Sequence, residues 1–306
     1  MKPAPIALFA YNRPHHTLRV LQGLKKNRLA DRSSLYIFCD GPKENAADAA
    51  LVEQVRNTAK SDHWCGKVEV IAGGKNQGLA ASIVNGVTEL VNTHGSIIVL
   101  EDDLVPSPGF LEYTNQALNL YASKEQVMHI SGYMYPHLRK PFEKPAGDTF
   151  FVKFMACWGW ATWARAWKSY SNSAPDLLAS IRSEKKLDKF NLDGATHSLA
   201  LQLTKNADGT LNSWAIKWYA SIFLNDGLCL FPGNSLVRNI GNDGTGTHPD
   251  KTDIYSYQKI ASSVKVDAIP LEENPVARKR IKNFFHFLEK RKTIPDKVIE
   301  KLRLLR

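Results

Sequence analysis

Apolar positions in the first hundred residues alternate between two periods. Residues 6–11, 35–40, 68–72 and 96–102 form β-rich apolar runs, each bounded by turn residues. Between them, over 15–26, 47–60 and 79–92, apolar residues recur at spacings of three and four, the signature of amphipathic helices. Near-continuous apolar strands alternating with helices predict an α/β fold: a mostly parallel, Rossmann-like sheet flanked by helices on both faces. After residue 104 the alternation loosens. The pattern predicts a helix over 109–122, a strand over 126–131, a Pro/Lys-rich loop over 135–148 and an aromatic segment over 150–167. Polar helices and loops follow over 170–212, then an amphipathic helix (213–224), a short strand (228–231) and a Gly/Asn/Asp-rich loop (239–250). Basic helical patterns occupy 277–292 and 296–305.

Composition narrows the class. With 306 residues, 43% apolar and 23% charged, the chain can bury a sizeable core, which excludes disordered, collagen-like and coiled-coil classes. The net charge of +10 favours anionic partners, but residues 276–306 hold eleven basic and three acidic residues, so +8 of it lies there. The remainder is nearly neutral, which disfavours a nucleic-acid-binding core. A basic segment mixing Phe284, Phe285, Phe287 and Leu288 with Lys and Arg reads as a peripheral anchor on an anionic membrane, through 276–306, or as a solvated helical face packed on the core. Four cysteines without metal-ligand spacing, no signal-peptide pattern and no spanning apolar stretch lead to the expectation of a cytoplasmic protein, at most peripheral on the inner membrane.

The candidate chemistry collects at strand ends, where doubly wound sheets bind ligands. Glu101, Asp102 and Asp103 follow an apolar strand. Three adjacent carboxylates at a buried end repel one another unless a cation neutralises them, and Mg²⁺ or Mn²⁺ shared with a substrate diphosphate meets that need; a solvated acidic turn is the plainer alternative. Tyr11, Asn12 and Arg13 close the first strand and Asp40 the second. Arg suits a phosphate and Asp a nucleobase N–H, although both sequences also make good turns. The Gly-rich run 73–78, with Asn76 and Gly78, lacks the Walker and dinucleotide patterns but can present backbone N–H groups to a phosphate. Trp158, Trp160, Trp163 and Trp167 either build a core or offer faces to sugar rings. Gly159 between two tryptophans suggests a loop close to a ligand. His248 stands in a loop of small residues, where it can ligate a cation or remain solvent-exposed.

These residues resemble the GT-A-fold glycosyltransferases, specifically the N-acetylglucosaminyltransferase I type and related bacterial sugar transferases. The run VLEDDLVPSPGFLEY is similar to their Glu-Asp-Asp motif; AYNRP, CDGPK and NQGLAASI before it, and HISGYMYP, CWGWATWARAW, SWAIKWYASIFL and SLVRNIGNDGTGTH after it, extend the similarity in order over most of residues 4–250. The resemblance implies a glycosyltransferase domain over 1–270, with a nucleotide-binding half to about 104, an acceptor half over 105–270 and a basic tail over 271–306. It implies Mn²⁺ or Mg²⁺ on Asp103 with His248 completing the metal or diphosphate site. Glu101 and Asp102 fall near the metal-nucleotide and ribose, and Tyr11, Asn12, Arg13, Asp40, Asn76 and Gly78 around the nucleotide, expected to be UDP. Tyr133, Trp158, Gly159, Trp160 and Trp214 fall beside the donor and acceptor sugars. The implied reaction transfers a sugar from a UDP-sugar to a hydroxyl of a surface glycan or lipid-linked oligosaccharide, with inversion. One position departs: Asn212 stands where the resembling inverting enzymes carry the general base, and neutral Asn cannot accept a proton. Asp208 or Asp243 is then the base, or the chain is an impaired or non-catalytic nucleotide-sugar-binding form.

Overall fold

The computed structural model describes residues 2–136, 146–244, 254–256 and 259–291. Four parallel strands open the chain: β1 (Ile6–Ala10), β2 (Ser34–Cys39), β3 (Lys67–Ala72) and β4 (Ser96–Glu101). They are joined by α1 (Pro14–Lys25), α2 (Ala46–Lys60) and α3 (Leu79–His94). Each lies within two residues of its expected position. Then come β5 (Leu104–Pro106), α4 (Phe110–Leu120), β6 (Val127–Ser131), β7 (Thr149–Val152), β8 (Trp160–Trp163) and the short α5 (Ala164–Trp167). The helices α6 (Ala174–Ser183), α7 (Leu187–Phe190), α8 (Ser198–Ala207) and α9 (Trp214–Leu224) precede β9 (Leu228–Pro232), β10 (Val237–Asn239) and α10 (Pro275–Arg291).

One eight-stranded sheet, ordered β3-β2-β1-β4-β8-β6-β9-β7, runs across position 104. Six strands are parallel, and β8 and β7 run against their neighbours, giving the mostly parallel, Rossmann-like α/β architecture. In β1 the side chains alternate between layers: Ile6, Leu8 and Ala10 pack with α1, α2 and α4, and Ala7 and Phe9 with α3, α6, α8 and α9. The edge strand β3 carries Lys67 and Glu69, charges that discourage edge pairing. The other edge, β7, is partly covered: the Asn274 N–H donates to the Phe151 carbonyl at 2.8 Å.

The aromatic segment divides into a strand and a short helix. Trp160–Trp163 is a central strand, antiparallel to β4, with Trp160 paired to Val99. Trp163 ends this strand and Trp167 ends α5, so their spacing of four crosses a strand–helix junction. The start of the basic tail, α10, buries Ala277, Ile281 and Phe284 against the core, and Arg278 and Lys282 pair with Asp193. The expected helix 296–305, His248 and most of loop 135–148 lie outside the described residues. Among those described, no helix is long and apolar enough to cross a membrane, and the four cysteines are free thiols.

Candidate functional site

A cleft of about 440 Å³ opens at the carboxyl ends of β1, β2 and β4. The structure brings eight of the expected residues onto its walls: Tyr11, Asn12 and Arg13 after β1, Asp40 after β2, Asn76 and Gly78 before α3, and Glu101 and Asp102 after β4. Its floor is the stacked pair Phe9–Phe38, with ring centroids 4.9 Å apart, beside Leu79 and Ser82 of the first turn of α3. That turn has no side-chain cap, so backbone N–H groups are available there.

Parallel alignment of β1 and β4 sets Arg13 against the acidic strand end. The Arg13 guanidinium pairs with Asp102, and its Nη2 lies 3.0 Å from Asp103 Oδ2. Asp102 also accepts the Tyr11 N–H at 3.4 Å and is 4% exposed, so it ties the ends of β1 and β4 together. Burial, then the charges of Asp103 and Asp102, push the Glu101 carboxyl up to about 8, against the pull of Arg13. Burial disfavours the Arg13 cation, but the two carboxylates outweigh it and keep the guanidinium charged. Gly241 explains how β10 can crowd this end: a Cβ there would stand 2.1 Å from Asp103 Oδ2.

Asp40 has a different role from the one expected of it. Its oxygens accept the Gly41, Gln77 and Gly78 N–H groups at 2.8, 2.9 and 2.9 Å and the Asn76 amide at 3.1 Å. Four donors fill a carboxylate's acceptor sites. Asp40 therefore shapes the loop before α3, with Gly78 at φ +79°, rather than offering an acceptor to a nucleobase.

The aromatic sugar-facing set is largely corrected by burial. Tyr133 and Trp160 are fully buried and Trp214 is 4% exposed, because β8 carries Trp160 into the sheet centre. Trp160 stacks between His129 at 5.4 Å and Trp214 at 5.2 Å. These faces are covered by rings and cannot stack on a sugar. Trp158 stays half-buried, edge-on to Tyr133 at 4.6 Å and Tyr255 at 5.0 Å. Gly159 makes the turn possible at φ +65°, where a Cβ would meet Val237 at 2.6 Å. The adjacent Cys157 thiol is pushed up by burial and by the charges of Glu101 and Asp103, so this loop stands within electrostatic reach of the acidic end.

The expected base position and the two alternative carboxylates are dispersed. Asn212 is exposed two residues before α9. Asp208 ends α8 and accepts the Thr210 N–H and hydroxyl at 2.9 and 2.6 Å. Asp243 lies 3.2 Å from His16 Nε2 on α1. None of the three lines the cleft. Among the described residues no three His, Cys, Asp or Glu side chains form a ready metal-ligand group.

Sequence reasoning missed Asp48. It accepts the Tyr11 hydroxyl at 2.5 Å, the Asn12 amide at 2.7 Å and the Lys43 N–H at 2.7 Å, so it holds the cleft rim. Burial and the Asp48 hydrogen bond push the Tyr11 hydroxyl up to about 12, leaving it a neutral donor. The signal was available in Asn45, which caps α2 by accepting the Asp48 N–H, but a capping pattern does not say what the first-turn carboxylate faces.

No family model matches the sequence, and no curated protein matches it. Among solved structures, a cytidylyltransferase from Leptospira borgpetersenii serovar Hardjo-bovis (strain JB197) aligns at 12% identity and a TM-score of 0.31, over 59% of this chain and 65% of that one, under two thirds of its length. A UDP-glucose pyrophosphorylase complexed with UDP-glucose aligns at 11% identity and a TM-score of 0.36, over 75% of this chain and 90% of that one. At such values the likeness carries no argument about activity.

Proposed function

We propose that the chain is a glycosyltransferase that takes a sugar from a nucleoside diphosphate, with UDP the expected carrier, and passes it to a hydroxyl of a surface glycan or lipid-linked oligosaccharide. The observation that carries this reading is the meeting of Arg13, Asp102 and the uncapped start of α3 at one cleft, with Asp103 just behind its wall and paired to Arg13. A nucleoside diphosphate calls for an apolar floor under the base and for N–H and guanidinium donors to the phosphates, and this cleft has both. The ordered motifs similar to those of GT-A glycosyltransferases turn that general fit towards sugar transfer.

The donor set suits a hard divalent cation. Mn²⁺ or Mg²⁺ needs only one or two carboxylates when a diphosphate supplies further oxygens, the Asp103 side chain keeps 17% exposure while resting against Gly241, and the Arg13 guanidinium is a stand-in cation on the same carboxylate. Asp103 would hold it; the bound ion would neutralise charge on the departing diphosphate. Arg13 and the first-turn N–H groups of α3 hold the phosphates, and the hydrogen-bonded Tyr11 fixes the rim. The acceptor hydroxyl attacks the anomeric carbon opposite the diphosphate, inverts it and loses its proton to a base. With Mn²⁺ and UDP-sugars, the protein should release UDP rather than pyrophosphate, and Asp103→Ala should lose at least about a hundredfold in rate. Full activity in that variant rejects the metal role, and pyrophosphate as product rejects glycosyl transfer.

A second reading has its own support: Asn212 is neutral, while Asp208 and Asp243 are engaged by Thr210 and His16. A nucleotide-sugar-binding protein without turnover fits those facts. It requires UDP-sugar binding by calorimetry with no product, and no gain in Asn212→Asp; turnover in that variant would identify an enzyme lacking only its base. For the acceptor, we place the chain at an anionic membrane through the outward face of α10, where Val276, Lys279, Phe287 and Lys290 are exposed. The triple change Lys279→Glu, Phe287→Ser, Lys290→Glu should abolish sedimentation with anionic vesicles, and undiminished sedimentation counts against it.

A further inference from the structure

We propose that Arg13 is the resident counter-ion of the acidic strand end, and that a divalent cation binds well only once the donor diphosphate has drawn the guanidinium away. The proposal rests on the reading of the cleft as a diphosphate site and says how that site is regulated.

The two carboxylates on Arg13 are held differently. Asp102 is buried and also accepts the Tyr11 N–H, so it keeps a partner when the guanidinium leaves. The Asp103 side chain is 17% exposed and its Oδ2 meets Arg13 at 3.0 Å. A divalent cation must use the same carboxylate, and two cations sharing one carboxylate repel each other strongly in a partly buried site. One of them has to move.

Asp103 has little room to retreat. Gly241 lies so close that a Cβ would stand 2.1 Å from Oδ2, and the Ile240 N–H holds the Asp103 carbonyl at 2.9 Å. Arg13 is the freer partner. It precedes α1, makes no side-chain cap, has a side chain 20% exposed and already lines the cleft. A diphosphate in that cleft offers the guanidinium a paired-oxygen acceptor equivalent to the one it would leave. Binding of the diphosphate and of the cation is then mutually reinforcing, and by linkage each strengthens the other by the same factor.

The test measures free Mn²⁺ by electron paramagnetic resonance during titration of the wild-type protein and Arg13→Gln, with and without saturating UDP. Saturating UDP should tighten Mn²⁺ binding to the wild type about tenfold or more, the scale of one charge-assisted hydrogen bond. Arg13→Gln should bind Mn²⁺ about tenfold more tightly than wild type without UDP, and the enhancement by UDP should shrink. Equal or weaker Mn²⁺ binding by Arg13→Gln overturns the proposal and makes Arg13 a positioning residue for Asp103. If Arg13→Gln does not fold without the ion, Arg13→Lys, whose single ammonium holds the pair less firmly, should show the same gain on a smaller scale, and absence of that gain is equally decisive. Should UDP have no effect on the wild type while Arg13→Gln still gains Mn²⁺ affinity, the donor reading fails and the counter-ion role stands.

Discussion

Glu101 shows how one residue records the character of the strand end. Its carboxyl is raised from 4.5 to about 8 by burial and two neighbouring carboxylates, so the folded state retains a proton that the unfolded chain releases. Stability from this group is complete below pH 4.5 and is lost as pH rises through 8. In ion-free protein, Glu101→Gln should therefore stabilise the fold at pH 8.5 by about 1 kcal/mol or more, raising the melting temperature there, and change it little at pH 4.5. Thermal melts at both values check this, and an equal effect at each would contradict it. Gly241 acts through space: Gly241→Ala must displace the Asp103 carboxylate, with an expected loss of about tenfold in Mn²⁺ affinity at saturating UDP and a small change in melting temperature. Calorimetry beside a melt separates the two effects.

Among the elements, β8 and α10 alter the reading of the sequence most. Placing Trp160–Trp163 between β4 and β6 converts two expected sugar platforms, Trp160 and Trp214, into a stacked core, and leaves Trp158 as the half-buried aromatic of that loop. The inner face of α10 is part of the body: Phe284 and Phe285 each pack 5.2 Å from Tyr135, which meets Tyr133, and Tyr133 meets Trp158. A tail that were only a tether could be cut without consequence. Phe284→Ala should instead cost about 3 kcal/mol of stability, read by urea unfolding, and shift the tryptophan emission of the Trp158 loop. An unchanged midpoint would return α10 to the role of a detachable anchor.

For the molecule as a whole, a buried histidine sets part of the acid limit. His129 is fully enclosed, accepts from Trp218 Nε1 at 3.2 Å and pairs with the Ala156 carbonyl at 3.1 Å, and burial depresses its imidazole from 6.5 to about 3. Its contribution is complete above pH 6.5 and is lost as pH falls towards 3, when the unfolded chain takes up a proton that the core excludes. Stability should fall by a few kcal/mol over that interval from this group alone, and His129→Asn should flatten the acid limb of a urea-unfolding series while lowering neutral stability. Local periodicity was enough to locate β1 to β4, β6 and β9, and α1 to α4, α9 and α10, to within a few residues, because burial on one or both faces imposes its spacing on the chain directly. It also located the strand ends, and with them Tyr11, Asn12, Arg13, Glu101 and Asp102, since the end of an apolar run marks the sheet edge whatever the neighbours are. Strand order, by contrast, is a long-range property: nothing local told that β8 would lie between β4 and β6, so exposure of the tryptophans was not readable. Hydrogen-bond partners are long-range as well. Asp40 spends its acceptors on the loop at 76–78, and Arg13 meets Asp102 and Asp103 across some ninety positions of chain, pairings that exist only after the sheet has brought those strand ends side by side.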